Sequence, residues 1–292
     1  MPDTHAVDQT LERIKEGLKK GTIVPYLGPG VLKDVAELTT KTPIPADSDS
    51  LILAMNDGKP MAPRLMYEFA RAAMNVEQKK GRKFVEKFLT KTYAERKWSQ
   101  GRLHQWLASL HLPYIVDINR DLQLQQQYAN RPHTLILGTA RLGGTNYRFK
   151  LFHYENQHYK SVPLEEVNSS LPILFKPMGS PLPEANYIAS DADYVDYITE
   201  LMGGFAIPDF LKRYRVEKQY VFLGMRMQRD TERMVLSDII QGASAPAGWV
   251  LLPEPTDKER RFCAKKNLQI IEADWDSLVS KTDADCALEV VA

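Results

Sequence analysis

The sequence predicts an α/β fold built on a largely parallel sheet. Short apolar runs of strand character end in glycine-bearing or polar turns, and each turn leads into a stretch of helical spacing. That order recurs along the chain. Past three of these runs stand residues unusual for plain punctuation: Gly28 and Gly30, Asn119 and Asp121, Gly224 and Asp230. Loops at the carboxyl ends of parallel strands are where such sheets hold ligands. Three such ends on one sheet edge favour a nucleotide-type ligand.

Composition sets the outer bounds. The chain has 292 residues, 43% hydrophobic and 26% charged, an ordinary globular balance that allows one large α/β domain or two small ones. A net charge of +1 gives no pull toward nucleic acid or an anionic membrane. The basic run from Arg13 to Lys20 is broken by Glu16 and reads as the wet face of a first helix. Cys263 and Cys286 lie late and apart with no C-x-x-C, which argues against a disulfide framework and a zinc–thiolate site. Met1 to Gln9 is polar, without the apolar stretch of a secretory signal. No run of about 18 apolar residues marks a membrane span. The expected location is the cytoplasm.

The elements follow in order. Leu11, Ile14 and Leu18 predict an amphipathic helix closed by Gly21. Ile23 to Leu27 predicts the first strand. It runs into Gly28-Pro29-Gly30, an ordinary turn or a place where the main chain approaches a phosphate closely. Val31, Leu32, Val35, Ala36 and Leu38 have helical spacing. Thr42 to Asp49 is a loop by its prolines and short polar residues. Leu51 to Ala54, Arg64 to Arg96 and Leu103 to Leu110 read as helical. Tyr114 to Ile118 predicts a second strand. Thr134 to Thr139, Tyr147 to His153 and His158 to Val162 read as short strands, with a Gly143-Gly144 turn. Leu174 to Lys176 is strand-like. Ser190 to Met202 is helical with Ser190 or Asp191 as N-cap. Tyr220 to Leu223 is an apolar strand, Arg229 to Ile240 a helix. Trp249 to Leu252 and Gln269 to Glu272 are late strands joined by a helix around Lys258 to Lys266.

Five stretches, in this order, resemble the bacterial SIR2-like domain family rather than the sirtuin deacylases. The family's first strand and turn read apolar-Pro-aromatic-apolar-Gly-Ala-Gly-Val; here they are Val24-Pro25-Tyr26-Leu27-Gly28-Pro29-Gly30-Val31. A Thr-Thr-Asn-Tyr-Asp block is matched by Asp117-Ile118-Asn119-Arg120-Asp121, and Lys-Leu-His-Gly-Ser by Lys176-Pro177-Met178-Gly179-Ser180. Tyr187-Ile188 through Asp193-Tyr194 matches a run that follows. The last block, apolar-Phe-apolar-Gly-Tyr-Ser with a later Asp, is Phe222-Leu223-Gly224-Met225-Arg226 and Asp230. Together they cover about residues 11 to 280.

The resemblance implies a Rossmann-like, doubly wound, largely parallel sheet with a helical insertion and a small β-rich insertion. On this reading 1–292 is a single domain: a core of about 11–54, 103–122 and 172–280, a helical insertion at about 55–102 and a β-rich one at about 123–171. It implies NAD as ligand or substrate, with no metal. NAD glycohydrolysis at the nicotinamide–ribose bond, of a defence type, is one implied activity; binding or sensing is another. Carried onto this chain, the implied NAD site comprises Gly28, Pro29, Gly30, Val31, Asn119, Asp121, Gly179, Gly224, Arg226 and Asp230, with Asn119 catalytic. Implied partners are NAD or an ADP-ribose-like nucleotide, and a second copy of the chain or a protein partner; nucleic acid and membrane are not implied. The deacylases' four-cysteine zinc site cannot be built here.

Departures from the family pattern bear on chemistry. Met178 stands where the family has a histidine base, and a thioether takes up no proton near neutral pH. Such a loss costs about 10²–10⁴ in rate. Pro29 has no N–H for a phosphate. Arg226 replaces a serine. With Arg229 it would clamp a pyrophosphate, or else face solvent or pair with Asp230. Asp117 replaces a threonine and shares a strand face with Asn119. There it would repel pyrophosphate, favour a cationic nicotinamide ring, or act as a substitute base. Asn119 itself orients a ribose hydroxyl or water, or is only a turn residue. His104 reads as a packed, hydrogen-bonded core residue, His153 and His158 are five apart, no useful spacing for two metal ligands, and His111 and His133 lie near loop ends. No G-x-S-x-G, Walker A or H-E-x-x-H occurs. The expected function is therefore an NAD-binding protein with altered NAD cleavage, the alternative a catalytically inactive scaffold that binds a nucleotide or a protein.

Overall fold

The computed structural model describes residues 4–279. Its centre is a nine-stranded, mostly parallel sheet of strands β1 (Ile23–Leu27), β2 (Tyr114–Asp117), β3 (His133–Gly138), β4 (Phe149–Glu155), β5 (His158–Ser161), β6 (Ile173–Lys176), β9 (Gln219–Leu223), β10 (Gly248–Leu251) and β11 (Leu268–Ile271). The order across the sheet is β11-β10-β9-β1-β2-β6-β3-β4-β5. Only β4 runs against the others, antiparallel to both of its neighbours, β3 and β5. A separate short hairpin joins β7 (Gly179–Ser180) to β8 (Asn186–Tyr187). The mixed α/β, Rossmann-like architecture expected from the sequence is the one observed.

The central strands are buried along their length, as parallel strands covered on both faces must be. One face packs on the first helix, Thr4–Lys19, through Leu11, Ile14 and Leu18, and on the helices Phe69–Lys80 and Arg102–Ser109. The other packs on Asp191–Met202, Asp209–Tyr214 and Asp230–Ile239. Local chemistry sets the helix ends. Ser190 and Asp193 form a capping box at the start of Asp191–Met202, and Asp47 accepts from the Ser50 N–H to cap Ser48–Met55. Segment 123–171 adds β3, β4 and β5 to one edge of the same sheet, and segment 55–102 contains the helices Phe69–Lys80 and Arg82–Thr90. Among the described residues no helix is long and apolar enough to cross a membrane.

One expected helix is absent. After Gly28 the chain makes only a 3₁₀ turn, Pro29–Leu32, and then pairs by isolated bridges, Ala36 with Pro43 and Glu37 with Trp98. The Gly30 carbonyl, which an α-helix would give to the N–H four residues on, instead accepts from the Trp275 indole at 3.0 Å. Pro43 and Pro45 lie in the next stretch, which forms no helix before Ser48.

The topology places the site. β1 lies between β2 and β9, in register Leu27 with Asp117 and Leu27 with Leu223. From β1 the chain builds the β2-β6-β3 side, then crosses back to start β9 on the other flank. The crevice beyond the carboxyl ends of β1 and β9 is a topological switch point.

Candidate functional site

Two glycine turns meet at that crevice. The Gly28 N–H donates to the Leu223 carbonyl at 2.9 Å, and the Gly30 N–H to the Gly224 carbonyl at 2.8 Å. A Cβ on Gly28 would lie 2.7 Å from the Gly224 oxygen. Gly224 sits at φ +61, and a Cβ there would lie 2.4 Å from the Val31 nitrogen. The glycines therefore let two turns touch. Val31 N–H returns to the Gly28 carbonyl at 3.2 Å. With Gly28, Gly30 and Val31 donating internally and Pro29 lacking an N–H, the first turn of this chain offers no backbone donor from 28 to 31 to a phosphate. The glycines of this turn serve the close packing of the two turns.

Beneath the turn lies a saturated polar network. Lys176 Nζ, at the end of β6, pairs with Asp117 Oδ2 at 2.6 Å, both side chains fully buried. Asp117 Oδ1 accepts from the Asn119 N–H and from Asn119 Nδ2, each at 3.0 Å, and Nδ2 also donates to the Gly28 carbonyl at 3.0 Å. Burial pushes the Asp117 carboxyl up, against the pull of Lys176. Both Asp117 oxygens are engaged, and the residue lines neither hollow described below. It holds Asn119 in place; of the roles left open for it, none needs to be invoked. The Asn119 amide nitrogen is tied down on the protein side, and its Oδ1 has no partner among the described residues.

Above the turn the surface opens into a cleft of about 860 Å³, within the size range of small-molecule sites. Pro29, Gly30, Gly224, Arg226 and Arg229 line one wall, and the loop from Thr42 to Asp47 and the helix Ser48–Met55 that follows line the other. A smaller inner cavity of about 50 Å³ adjoins it, lined by Tyr26, Glu68, Asn119, Arg120, Met178, Tyr194 and Glu232 among others. Pro29, Ala46, Ser48 and Glu232 line both. The Tyr26 hydroxyl, fully buried, has no hydrogen-bond partner among the described residues. Arg120 donates to the Ile188 carbonyl and makes no carboxylate ion pair among the described residues. Burial, and then the neighbouring Glu68, push the Glu232 carboxyl up to about 7.

The structure brings Gly28, Pro29, Gly30, Asn119, Gly224 and Arg226 together at the cleft and its floor. The rest of the expected set lies elsewhere. Val31 is buried in the core. Asp121 is buried, with one carboxylate oxygen taking the Gln123 N–H at 2.7 Å to start the helix Gln123–Gln127 and the other unpartnered. Gly179, at φ +85, builds the β7–β8 hairpin, where a Cβ would lie 2.0 Å from the Asn186 oxygen. Asp230 is exposed and paired with Arg233.

Arg226 pairs with Glu259, not Asp230, at 3.0 Å, and Arg229 lies 4.3 Å over the Tyr67 ring. His104 is buried as expected, yet neither ring nitrogen has a partner, and burial lowers its pKa. Cys263 is buried; Cys286 lies outside the described residues.

Sequence reasoning missed Glu232, Glu68, Tyr26 and Arg120, and the cleft wall at Thr42–Ser50. Arg120 and Glu232 carried one available signal: each stands within ten residues of a strand end already singled out.

A Rossmann-like sheet whose switch point opens on a ligand-sized cleft and a smaller inner cavity of mixed lining defines the class of this protein. The model of one family, described as the SIR2-like domain, matches residues 114–271, more than half of the chain. The protein belongs to this SIR2-like, NAD-related family, as its sequence blocks indicate. No curated protein matches the chain. The matched segment contains Asn119, Met178, Gly224 and Glu232, while the Gly28–Gly30 turn precedes it.

Proposed function

We propose that this protein binds NAD in the cleft at the switch point and hydrolyses it at the nicotinamide–ribose bond, with the cleavage slowed and altered relative to a histidine-bearing site. The branch is then the NAD-cleaving one, and the chain acts as a single domain. The observation that carries the reading is the junction of the outer cleft with the inner cavity beside Asn119. A carboxamide fixed through its nitrogen presents an oxygen that accepts a hydrogen bond from a ribose hydroxyl or a water. The family relation supports NAD as the dinucleotide.

Phosphate binding falls to side chains in this account, because the turn backbone is engaged internally. Arg96 and Arg229 line the cleft and make no ion pair with a carboxylate among the described residues. Their guanidinium groups suit a pyrophosphate. Lys33, also on the cleft, is occupied by Asp274 and Asp276.

The test is nicotinamide release from NAD by the purified protein, with Asn119→Ala beside it. Release by the wild type, reduced about 100-fold in the variant, is expected. No release by either excludes the hydrolase.

A second reading, a scaffold that binds nucleotide without chemistry, is favoured by one observation: Met178, and no histidine, lines the inner cavity. Calorimetry with NAD and ADP-ribose separates the two. Binding without turnover, with turnover gained in Met178→His, supports the scaffold.

A further inference from the structure

The inner cavity has a mixed lining, with polar groups from Tyr26, Asn119, Arg120 and Glu232 among apolar side chains, and is too small for a nicotinamide ring; its roughly 50 Å³ suits ordered water. Two of its groups make no hydrogen bond among the described residues. The Tyr26 hydroxyl is one. The other is the half-buried Glu232 carboxylate, which makes no hydrogen bond or ion pair among the described residues although it stands in the first turn of a helix among Arg120, Arg229 and Arg233. Of the four residues that line both the cavity and the cleft, Glu232 alone is titratable. It stands between the place for a water and the place for a dinucleotide.

We infer that Glu232 is the general base of the proposed hydrolysis, taking its proton from a water held in the inner cavity. The inference rests on the reading of the cleft as an NAD site. In the step, the water oxygen bonds to ribose C1′ as the C1′–nicotinamide nitrogen bond breaks. The electron pair of that bond leaves with nicotinamide, the water's proton goes to the Glu232 carboxylate, and that proton is later released to solvent. Asn119 Oδ1 accepts from the same water or from a ribose hydroxyl and so positions the attack. Arg120 offsets the acidic pair Glu68 and Glu232 across the cavity. This assigns to a carboxylate on the helix after β9 the proton transfer that Met178 cannot perform.

The setting suits a base near neutral pH. The groups facing Glu232 are Glu68 from the segment before Phe69–Lys80, Tyr26 from β1, Tyr194 from Asp191–Met202, Arg120 from the end of β2, and Arg229 and Arg233 from its own helix and helix start. Burial and Glu68 raise the carboxyl from 4.5 to about 7, and the three arginines pull the other way. A catalytic base is most effective when its pKa lies near the working pH. Thr231 donates to Glu68, which fixes that neighbour in position.

The experiment measures nicotinamide release from NAD between pH 5 and 9 for the full-length wild type, Glu232→Gln and Glu232→Asp, with NAD affinity by calorimetry. The Glu232 carboxyl is also titrated by infrared difference spectroscopy without nucleotide. Expected are a wild-type rate that rises with pH to half its plateau near 7, and a loss of about 100-fold or more in Glu232→Gln at little change in NAD affinity. Glu232→Asp retains an intermediate rate and serves as the decisive variant should Glu232→Gln not fold. The ligand-free carboxyl is expected to titrate near 7, and lower in Glu68→Gln. Wild-type rate and profile in Glu232→Gln, or a carboxyl titrating near 4.5, overturns the base and leaves the hydrolase standing. No nicotinamide release by a wild type that binds NAD overturns both.

Discussion

Asp117 and Glu232 are both acidic residues at the carboxyl edge of the sheet, and the protein treats them in opposite ways. Asp117 ends β2 under the glycine turn, fully buried, with Lys176 on one oxygen and two donors from Asn119 on the other. Glu232 opens a helix beside the cavity, partly buried, with no donor on either oxygen and a second carboxylate, Glu68, next to it. A buried charge with every lone pair engaged is a structural part. One left open toward a hollow is destabilising in itself, and such groups concentrate where chemistry or binding happens. The contrast separates what shapes this site from what acts in it.

The largest effect is expected from breaking the satisfied side. Lys176→Met leaves Asp117 buried without its cation and should lower stability by about 3–5 kcal/mol, read by denaturant unfolding. A change below 1 kcal/mol would mean the pair is not what holds β2 to β6. Gly224→Ala comes next. It forces a Cβ into the touching turns at a left-handed backbone position and should cost about 2 kcal/mol or more.

On the unsatisfied side the sign reverses. The Glu232 carboxyl is held at about 7 in the folded protein against 4.5 ordinarily, so the native state binds this proton more tightly than the unfolded chain. That contribution is present below pH 4.5 and is lost as pH rises through 7. Glu232→Gln, which never ionises, should then be more stable than wild type by about 1–3 kcal/mol at pH 8 and nearly equal at pH 4.5, measured by unfolding at both values. Equal stability at both would place Glu232 outside the strained class. The smallest effect is expected at Asp230, exposed and paired only with Arg233: Asp230→Ala should change stability by less than about 0.5 kcal/mol and leave NAD affinity unchanged.

How far the sequence reaches follows the same division. Gly28, Gly224 and Asn119 were legible because strand ends in an α/β pattern advertise backbone geometry, and glycine and asparagine are the residues such turns require. The parallel order of the core strands followed from the same rhythm. The edge placement of β4 and β5 did not, because alternating short strands fix their pairing but not which sheet they extend. Glu232 was hidden by position: an acid in a first helical turn reads as a favourable companion to the helix dipole. Only the third dimension puts Glu68 beside it and leaves it without a donor. Arg226 was legible as a charged substitution, while its capture by Glu259, a residue of the capping box at Thr256, depended on a contact 33 positions away.

Calorimetric titration of NAD into the wild type and into Ala54→Trp tests the central claim most directly. Ala54 lines the outer cleft from the exposed side of the helix Ser48–Met55, so an indole there fills the cleft without entering the core. The account predicts saturable NAD binding by the wild type, weakened at least about tenfold in Ala54→Trp, a change of about 1.4 kcal/mol, with both proteins melting alike. Absence of NAD binding by the wild type, or equal binding by both proteins, would contradict it.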